Sequence, residues 1–196
     1  MDQFIFDPSN VWFTSDTHFW HENILRFCNR PFANASEMNE VLIRNWNETV
    51  PEDGIVFHLG DFAFGGAKEW NEILNRLNGK IYLILGNHDM KQVKQGFMKR
   101  FEFVTQQMTI RVGGQTIILN HNPFLTYGGC YRNTWQIFGH VHSGPLADKG
   151  KDLARLQVLF PRQYDVGVDN NNFRPISFTE VKRKIEAQIS SSLPRE

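Results

Sequence analysis

Along the first half of the chain, short β-branched or aromatic runs alternate with stretches whose apolar residues recur every three or four positions. Residues 11–15, 55–59 and 81–85 are apolar runs of strand length. Each ends at a polar or glycine-bearing turn: Asp16, Gly60-Asp61 and Gly86-Asn87. Between them, Ile24, Leu25 and Cys28 fall on one face of a short helix. Ser36 is the expected N-cap of a longer helix turning Met38, Val41, Leu42 and Trp46 inward. Trp70, Ile73, Leu74 and Leu77 keep helical spacing, and Gly79 follows as a stop. The second half is mostly β. Residues 101–112 and 115–119 flank Gly113-Gly114, a two-residue hairpin signal. Residues 135–138, 164–168 and 176–178 read as further strands. A last amphipathic helix starts at Thr179 with Val181, Ile185 and Ile189 on one side, and the tail from Ser190 is expected to fray. βαβ units followed by strands predict an α/β sandwich with a mixed sheet core and helices outside. No repeat, low-complexity tract or linker interrupts the 196 residues, so a single domain spanning residues 1–196 is expected, long enough for a full hydrophobic core.

The seven histidines all lie in or beside short motifs that also carry Asp or Asn. Asp16 and His18 lie in Ser15-Asp16-Thr17-His18-Phe19-Trp20-His21. Asp61 follows His58-Leu59-Gly60. His88 is inside Gly86-Asn87-His88-Asp89, His121 inside Asn120-His121-Asn122-Pro123, and His140 and His142 form Gly139-His140-Val141-His142. Most of these motifs directly follow an apolar run, and ligands of α/β folds gather at the carboxyl ends of strands. Residues i and i+2 of extended backbone point the same way, so Asp16 and His18 can serve one metal, as can His140 and His142. Asp16, His18, Asp61, Asn87, His121, His140 and His142 make seven candidate ligands. That exceeds one tetrahedral site and suits two divalent metals sharing a bridging carboxylate. A mixed nitrogen and oxygen set without thiolate suits manganese, iron, zinc or cobalt better than calcium, with manganese favoured. Asp16 and Asp61 return two negative charges against four positive ones, so such a site stays cationic and attracts phosphate.

Composition narrows the partners. Hydrophobic residues are 41% and charged residues 21%, and formal net charge is zero. This disfavours a non-specific nucleic-acid binder, which carries a basic surplus. It leaves open an enzyme that grips a single phosphate, on a small molecule, a nucleotide or a nucleic acid. Cys28 and Cys130 form no metal-type pair and are expected as single thiols rather than a disulfide. No apolar run reaches a membrane span and no signal peptide is visible, so no membrane partner and a cytoplasmic protein are expected. Oligomeric state is not legible.

The ordered motifs from Asp16 to His142 resemble the signature of the calcineurin-like metallophosphoesterase superfamily: Asp-x-His, Gly-Asp, Gly-Asn-His-Asp/Glu, a further His, then Gly-His-x-His. The stretch from Ser15 to Ile24 also resembles a small bacterial and phage-type subgroup, in which the second His commonly follows a glycine; here Trp20 stands in that place. The resemblance implies two mixed β-sheets packed face to face with helices outside. It implies a first metal on Asp16, His18 and His142, a second on Asn87, His121 and His140, and Asp61 as the bridge. His88 would face the substrate and protonate the leaving oxygen, with Asp89 orienting and polarising it. Protein Ser/Thr phosphatases of the superfamily extend the second motif to Gly-Asp-x-x-Asp-Arg-Gly. This chain reads Gly60-Asp61-Phe62-Ala63-Phe64-Gly65-Gly66, without the acidic and arginine positions.

The expected function is therefore a dinuclear metal-dependent phosphoesterase, acting on a phosphodiester by in-line attack of a metal-bridging hydroxide. The alternatives are a nuclease on DNA or RNA and a small-molecule phosphomonoesterase, with a non-catalytic scaffold disfavoured by the complete ligand set. A metallo-β-lactamase-type zinc hydrolase would need His-x-His-x-Asp-His, which is absent. Outside the signature, His21, just past the first metal motif, is a candidate contact to substrate or to a metal ligand, or else a hydrogen-bonded structural histidine, and Arg30 and Arg132 are candidate phosphate contacts. His58 reads as a satisfied core histidine, and Asp169 to Asn172 as a turn. The segment 143–163, with Lys149, Lys151, Arg155 and Arg162, is either a substrate-covering loop or a solvated connection.

Overall fold

The computed structural model describes residues 4–93, 97–146 and 156–192. Their strands form two five-stranded sheets. The first contains β2 (Val11–Thr14), β3 (Ile55–His58), β4 (Lys80–Ile84), β5 (Phe103–Thr105) and β10 (Ile176–Ser177), in the order β10-β2-β3-β4-β5. The second contains β1 (Phe4–Phe6), β6 (Gln107–Val112), β7 (Gln115–Asn120), β8 (Trp135–Phe138) and β9 (Gln163–Asp165), in the order β1-β6-β7-β8-β9. Both are mixed: β2 to β5 run parallel with β10 antiparallel, and β7 to β9 run parallel with β6 antiparallel to β7. The described α-helices are α1 (Glu22–Phe27), α2 (Ala35–Thr49), α3 (Ala67–Leu74), α4 (Met90–Val93) and α5 (Phe178–Ser192).

The period of two along the central strands explains the layering. Val11, Phe13, Phe57, Leu59 and Ile84 point between the sheets and meet Ile110, Val112, Ile117, Leu119, Trp135 and Ile137. The alternate residues Trp12, Val56, Ile81 and Leu83 point outward onto Met38, Leu42 and Trp46 of α2 and Trp70 and Ile73 of α3. These strands are buried on both faces, which is why they read as continuous apolar runs. Each fully buried large side chain contributes roughly 1.5–3 kcal/mol. On α5, Val181 and Ile185 join the inter-sheet core.

Several boundaries differ from the sequence reading. The long helix is capped by Asn34, whose side chain accepts from the Glu37 N–H at 2.9 Å, while Ser36 is exposed within the helix. The Glu37 carboxylate in turn accepts from the Ala33 N–H at 2.7 Å, so Asn34-x-x-Glu37 acts as a variant of the capping box. The run 101–112 splits at Gln106: β5 pairs with β4 in one sheet and β6 with β7 in the other. β1 went unread because its residues are mostly exposed and show no period. β9 ends at Asp165 and β10 at Ser177, each short of the expected end. Gly113 and Gly114 have φ of +54° and +82°, as a two-residue hairpin requires. Cys28 and Cys130 are buried free thiols. Among the described residues, no helix is long and apolar enough to cross a membrane. Lys149, Lys151, Arg155 and the end of the C-terminal tail lie outside the described residues.

Candidate metal centre

The carboxyl ends of β2, β3, β4, β7 and β8 meet at one edge of the sandwich, and the motif residues follow them. Hydrogen bonds stitch the loops across that edge. Asp16 N–H donates to Gly60 O at 2.9 Å, His18 N–H to Asp61 O at 3.0 Å, Gly139 N–H to His121 O at 2.9 Å and Val168 N–H to Ser15 O at 3.0 Å. Two glycines permit this closeness. A Cβ on Gly86 would run into the Asp61 carboxylate, and one on Gly139 into Ser15 Oγ and the Asp16 carboxylate.

Five of the seven candidate ligands adopt left-handed backbone: Asp16 (φ +57°), His18 (+49°), Asp61 (+55°), His140 (+72°) and His142 (+46°). Each such non-glycine residue costs about 1 kcal/mol, and strain of this kind concentrates at functional sites. Trp20 also has φ +63°, the conformation glycine would take more cheaply in the related subgroup.

All seven candidate ligands converge. Asp16, His18 and His142 bring one ligand atom each within 4.8 Å of the others, and so do Asp61, His121 and His140. Asn87 Oδ1 joins the second group, 3.0 Å from His121 Nε2 and 3.1 Å from His140 Nδ1. Asp61 Oδ2 lies between the groups, 3.6 Å from His18 Nε2 and 3.5 Å from His121 Nε2. Three imidazoles are held by the nitrogen that faces away. His121 Nδ1–H donates to Leu59 O at 2.7 Å, His142 Nδ1–H to Asp169 Oδ2 at 2.8 Å, and His18 Nδ1 pairs with His21 Nδ1 at 3.1 Å. Their Nε2 atoms are thereby turned inward, as metal-ligating imidazoles are. His18 Nε2 and Asp16 Oδ1 are buried polar atoms with no hydrogen-bond partner. Such orphans are costly unless a further group completes them. This donor set of neutral nitrogens, carboxylates and one amide oxygen fits divalent cations.

The charges respond to this crowding. Burial, His142 and Arg30 hold His18 well below the usual imidazole range. Burial acts the same way on His121 and His142 but is outweighed. The hydrogen bond with Asp61 and the Asp16 charge push His121 up to about 9, and Asp16 with Asp169 pushes His142 up to about 11. A cation entering the site would displace those protons.

Two residues take roles other than those expected, and His21 takes the supporting one of its alternatives. Asp89 is buried, and its carboxylate accepts the backbone N–H groups of Asp61 (2.8 Å), Gly86 (2.9 Å) and Phe62 (3.0 Å) rather than the His88 ring. It clamps the Asp61 loop to the Gly86 turn and does not orient His88. Arg30 is buried with all five N–H donors used: on both Asp169 oxygens, the carbonyls of Asp16 and Thr17, and Met38 Sδ. It has no donor left for a substrate. His21 is half-buried, bonded to His18 and stacked on Phe64 at 3.8 Å, so it props a candidate ligand. Arg132 is exposed. His88 stands open at the mouth, 44% exposed, with Nε2 3.9 Å from Asp61 Oδ2.

Sequence reasoning missed Asp169 and Phe64. Asp169 looked like turn composition, yet it follows β9, a further parallel strand ending at the same edge. Phe64 occupies the acidic position of the protein-phosphatase motif, and its ring lies 5.1 Å from His88 and 5.7 Å from His18.

An α/β sandwich with imidazoles and carboxylates gathered at its shared strand ends is a hydrolase architecture of the metal-dependent phosphoesterase class. Residues 9–152 match Calcineurin-like phosphoesterase, and the chain belongs to that family of metal-dependent hydrolases of phosphoesters. It is 36% identical over 180 residues to an uncharacterized protein of Methanocaldococcus jannaschii, covering 90% of this chain and 91% of that one. It is 29% identical to the Gene 66 protein of Mycobacterium phage L5, over 82% of this chain and 87% of the other. A crystal structure of a protein of unknown function from Aquifex aeolicus shares the fold with a TM-score of 0.68 and 26% identity, covering 88% of this chain and 97% of that chain.

Proposed function

We propose that this phosphoesterase is dinuclear and hydrolyses phosphodiesters, with manganese as the favoured metal. The observation that carries the reading is the placement of Asp61 Oδ2 between inward-turned Nε2 atoms of His18 and His121. Asp16, His18 and His142 would hold one ion, Asn87, His121 and His140 the other, and Asp61 both. Two divalent ions so held would supply Lewis acidity and an activated water near neutral pH. The chain's own contribution is position and proton transfer. Asp89 and Leu59 O fix the Asp61 loop and the His121 ring before substrate arrives. His88, open to solvent beside Asp61, is placed to donate a proton from its ring to the departing oxygen.

The neutral overall charge favours a small diester over a polynucleotide. A second reading, action on nucleotides or nucleic-acid ends, is favoured by the ring wall of Phe64 and His21 beside His88, since a nucleobase stacks on such a surface. The test is hydrolysis of bis-p-nitrophenyl phosphate beside p-nitrophenyl phosphate, in metal-free protein titrated with manganese. Metal-dependent turnover favouring the diester, saturating at two ions per chain, supports the reading. Monoester preference replaces it with a small-molecule phosphatase, and no turnover with two ions bound removes it.

A further inference from the structure

Arg30 and Asp169 lie 139 residues apart, yet form a buried bidentate pair, Nε to Oδ1 and Nη2 to Oδ2, both at 2.8 Å. The pair touches both sides of the first ligand group. From Asp169, Oδ2 accepts the His142 Nδ1–H at 2.8 Å, which leaves His142 Nε2 facing Asp16 Oδ1 at 3.9 Å. From Arg30, Nη2 reaches Asp16 O at 2.7 Å and Nη1 reaches Thr17 O at 3.0 Å. A single guanidinium therefore ties the Asp16-Thr17-His18 loop to the loop carrying His142. Both loops hold residues in left-handed backbone, which relaxes unless contacts hold it.

Cys28, His142 and Asp169 also cluster within 4.8 Å, which raises the possibility of an ion on Asp169 itself. The His142 Nδ1 contact to Asp169 is at hydrogen-bond distance, however, and both Asp169 oxygens already face Arg30 donors. The carboxylate is thus occupied as an acceptor and its charge is balanced.

We propose that Arg30 and Asp169 are a positioning pair for the first metal site. Asp169 fixes the tautomer and direction of the His142 ring, and Arg30 sets the spacing between His142 and Asp16. Arg30 also cancels the Asp169 charge, so the site keeps its surplus positive potential for an anionic substrate. The planar fork is required, because an ammonium could not reach Asp169 and both carbonyls together. The inference rests on the dinuclear reading, and its test separates the two.

Full-length metal-free protein is titrated with manganese, with affinity and stoichiometry read by calorimetry and ion coupling by electron paramagnetic resonance. The wild type is expected to bind two ions with a coupled signal; fewer than two would overturn the dinuclear reading itself. Asp169→Asn and Arg30→Lys are expected to weaken one ion by about 10–100-fold, the range for loss of a carboxylate behind a ligating imidazole. The ion held by Asn87, His121 and His140 should keep its affinity, leaving an uncoupled signal. In a His142→Ala background, Asp169→Asn should add no further loss, an outcome that a general packing role would not give. Two ions bound by Asp169→Asn with wild-type affinity would overturn the proposal. Asp169→Glu keeps the charge opposite Arg30 but shifts the oxygen from His142. It applies the same test in a variant that keeps the ion pair, should the neutral variant not fold.

Discussion

His58 gives a prediction whose size follows from the structure. It ends β3 fully buried, with Nε2 2.9 Å from Thr17 Oγ1 and Nδ1 3.3 Å from the Gly60 N–H. The Thr17 hydroxyl donates to Phe62 O at 2.7 Å, so its oxygen must accept from His58 Nε2–H. Gly60 N–H then donates to Nδ1, and the neutral ring is satisfied at both nitrogens. Protonation would set a second N–H against that of Gly60. Burial, with His121 nearby, lowers the pKa from 6.5 to about 3. The sign follows: the unfolded chain takes up a proton below pH 6.5 while the folded chain does not, so stability present above 6.5 is lost as pH falls towards 3. At about 1.4 kcal/mol per pH unit, with the unfolded histidine already half-protonated at pH 6.5, His58 alone removes about 2 kcal/mol between pH 6.5 and 4.5. That is a large share of the roughly 5–15 kcal/mol that a domain commands. Urea unfolding of wild type and His58→Gln at both pH values, with metal removed, isolates the effect. The other histidines titrate in both proteins and cancel, while glutamine keeps a donor for Thr17. The variant should lose about 2 kcal/mol less than wild type over this interval. Equal losses would refute a neutral His58.

Three further outcomes are expected. His88→Ala should slow a diester with a poor leaving group by about 10²–10⁴-fold while p-nitrophenyl release falls much less, because nitrophenolate needs no proton; equal losses in the two assays would end the acid role. Asp61→Ala should leave fewer than two ions per chain by equilibrium dialysis, and two ions retained would contradict the bridging assignment. Asp89→Ala strands the N–H groups of Asp61, Phe62 and Gly86, so the metal-free protein should lose at least about 1–3 kcal/mol. An unchanged thermal midpoint would instead argue for a purely catalytic aspartate.

The seven motif positions were legible because each is local, a polar residue set by a glycine or a short loop just past an apolar strand. Convergence then follows from parallel strands ending at one edge. What local pattern cannot give is the partner of a buried charge. Arg30 looked like any surface arginine, and its partner lies beyond seven further strands. Asp89 was read from its neighbour His88, but a turn carries adjacent side chains in different directions, and this one turned back to the backbone. The sheet switch at Gln106 was invisible for a similar reason, since β5 and β6 share the same β-rich composition and differ only in which strand each meets. Phe64 was noticed as a missing acid and not as a ring beside His88.

With two ions bound as proposed, the site would also explain how a chain of zero net charge attracts an anion. Asp16 and Asp61 would offset two of the four charges on a pair of divalent ions, and the Asp169 charge is matched by Arg30 at 2.8 Å. The surplus would be local and partly buried, where salt screens it less than a surface patch. Attraction of one phosphate therefore needs no basic groove. A polynucleotide, by contrast, owes most of its affinity to many surface contacts, and its binding falls steeply with salt. The salt dependence of KM thus separates the two substrate readings. A small diester turned over by this site should show a shallow dependence, about one phosphate's worth, between 50 and 200 mM salt. A steep loss on a DNA or RNA substrate would instead place basic surface beside the metals and favour the nuclease reading.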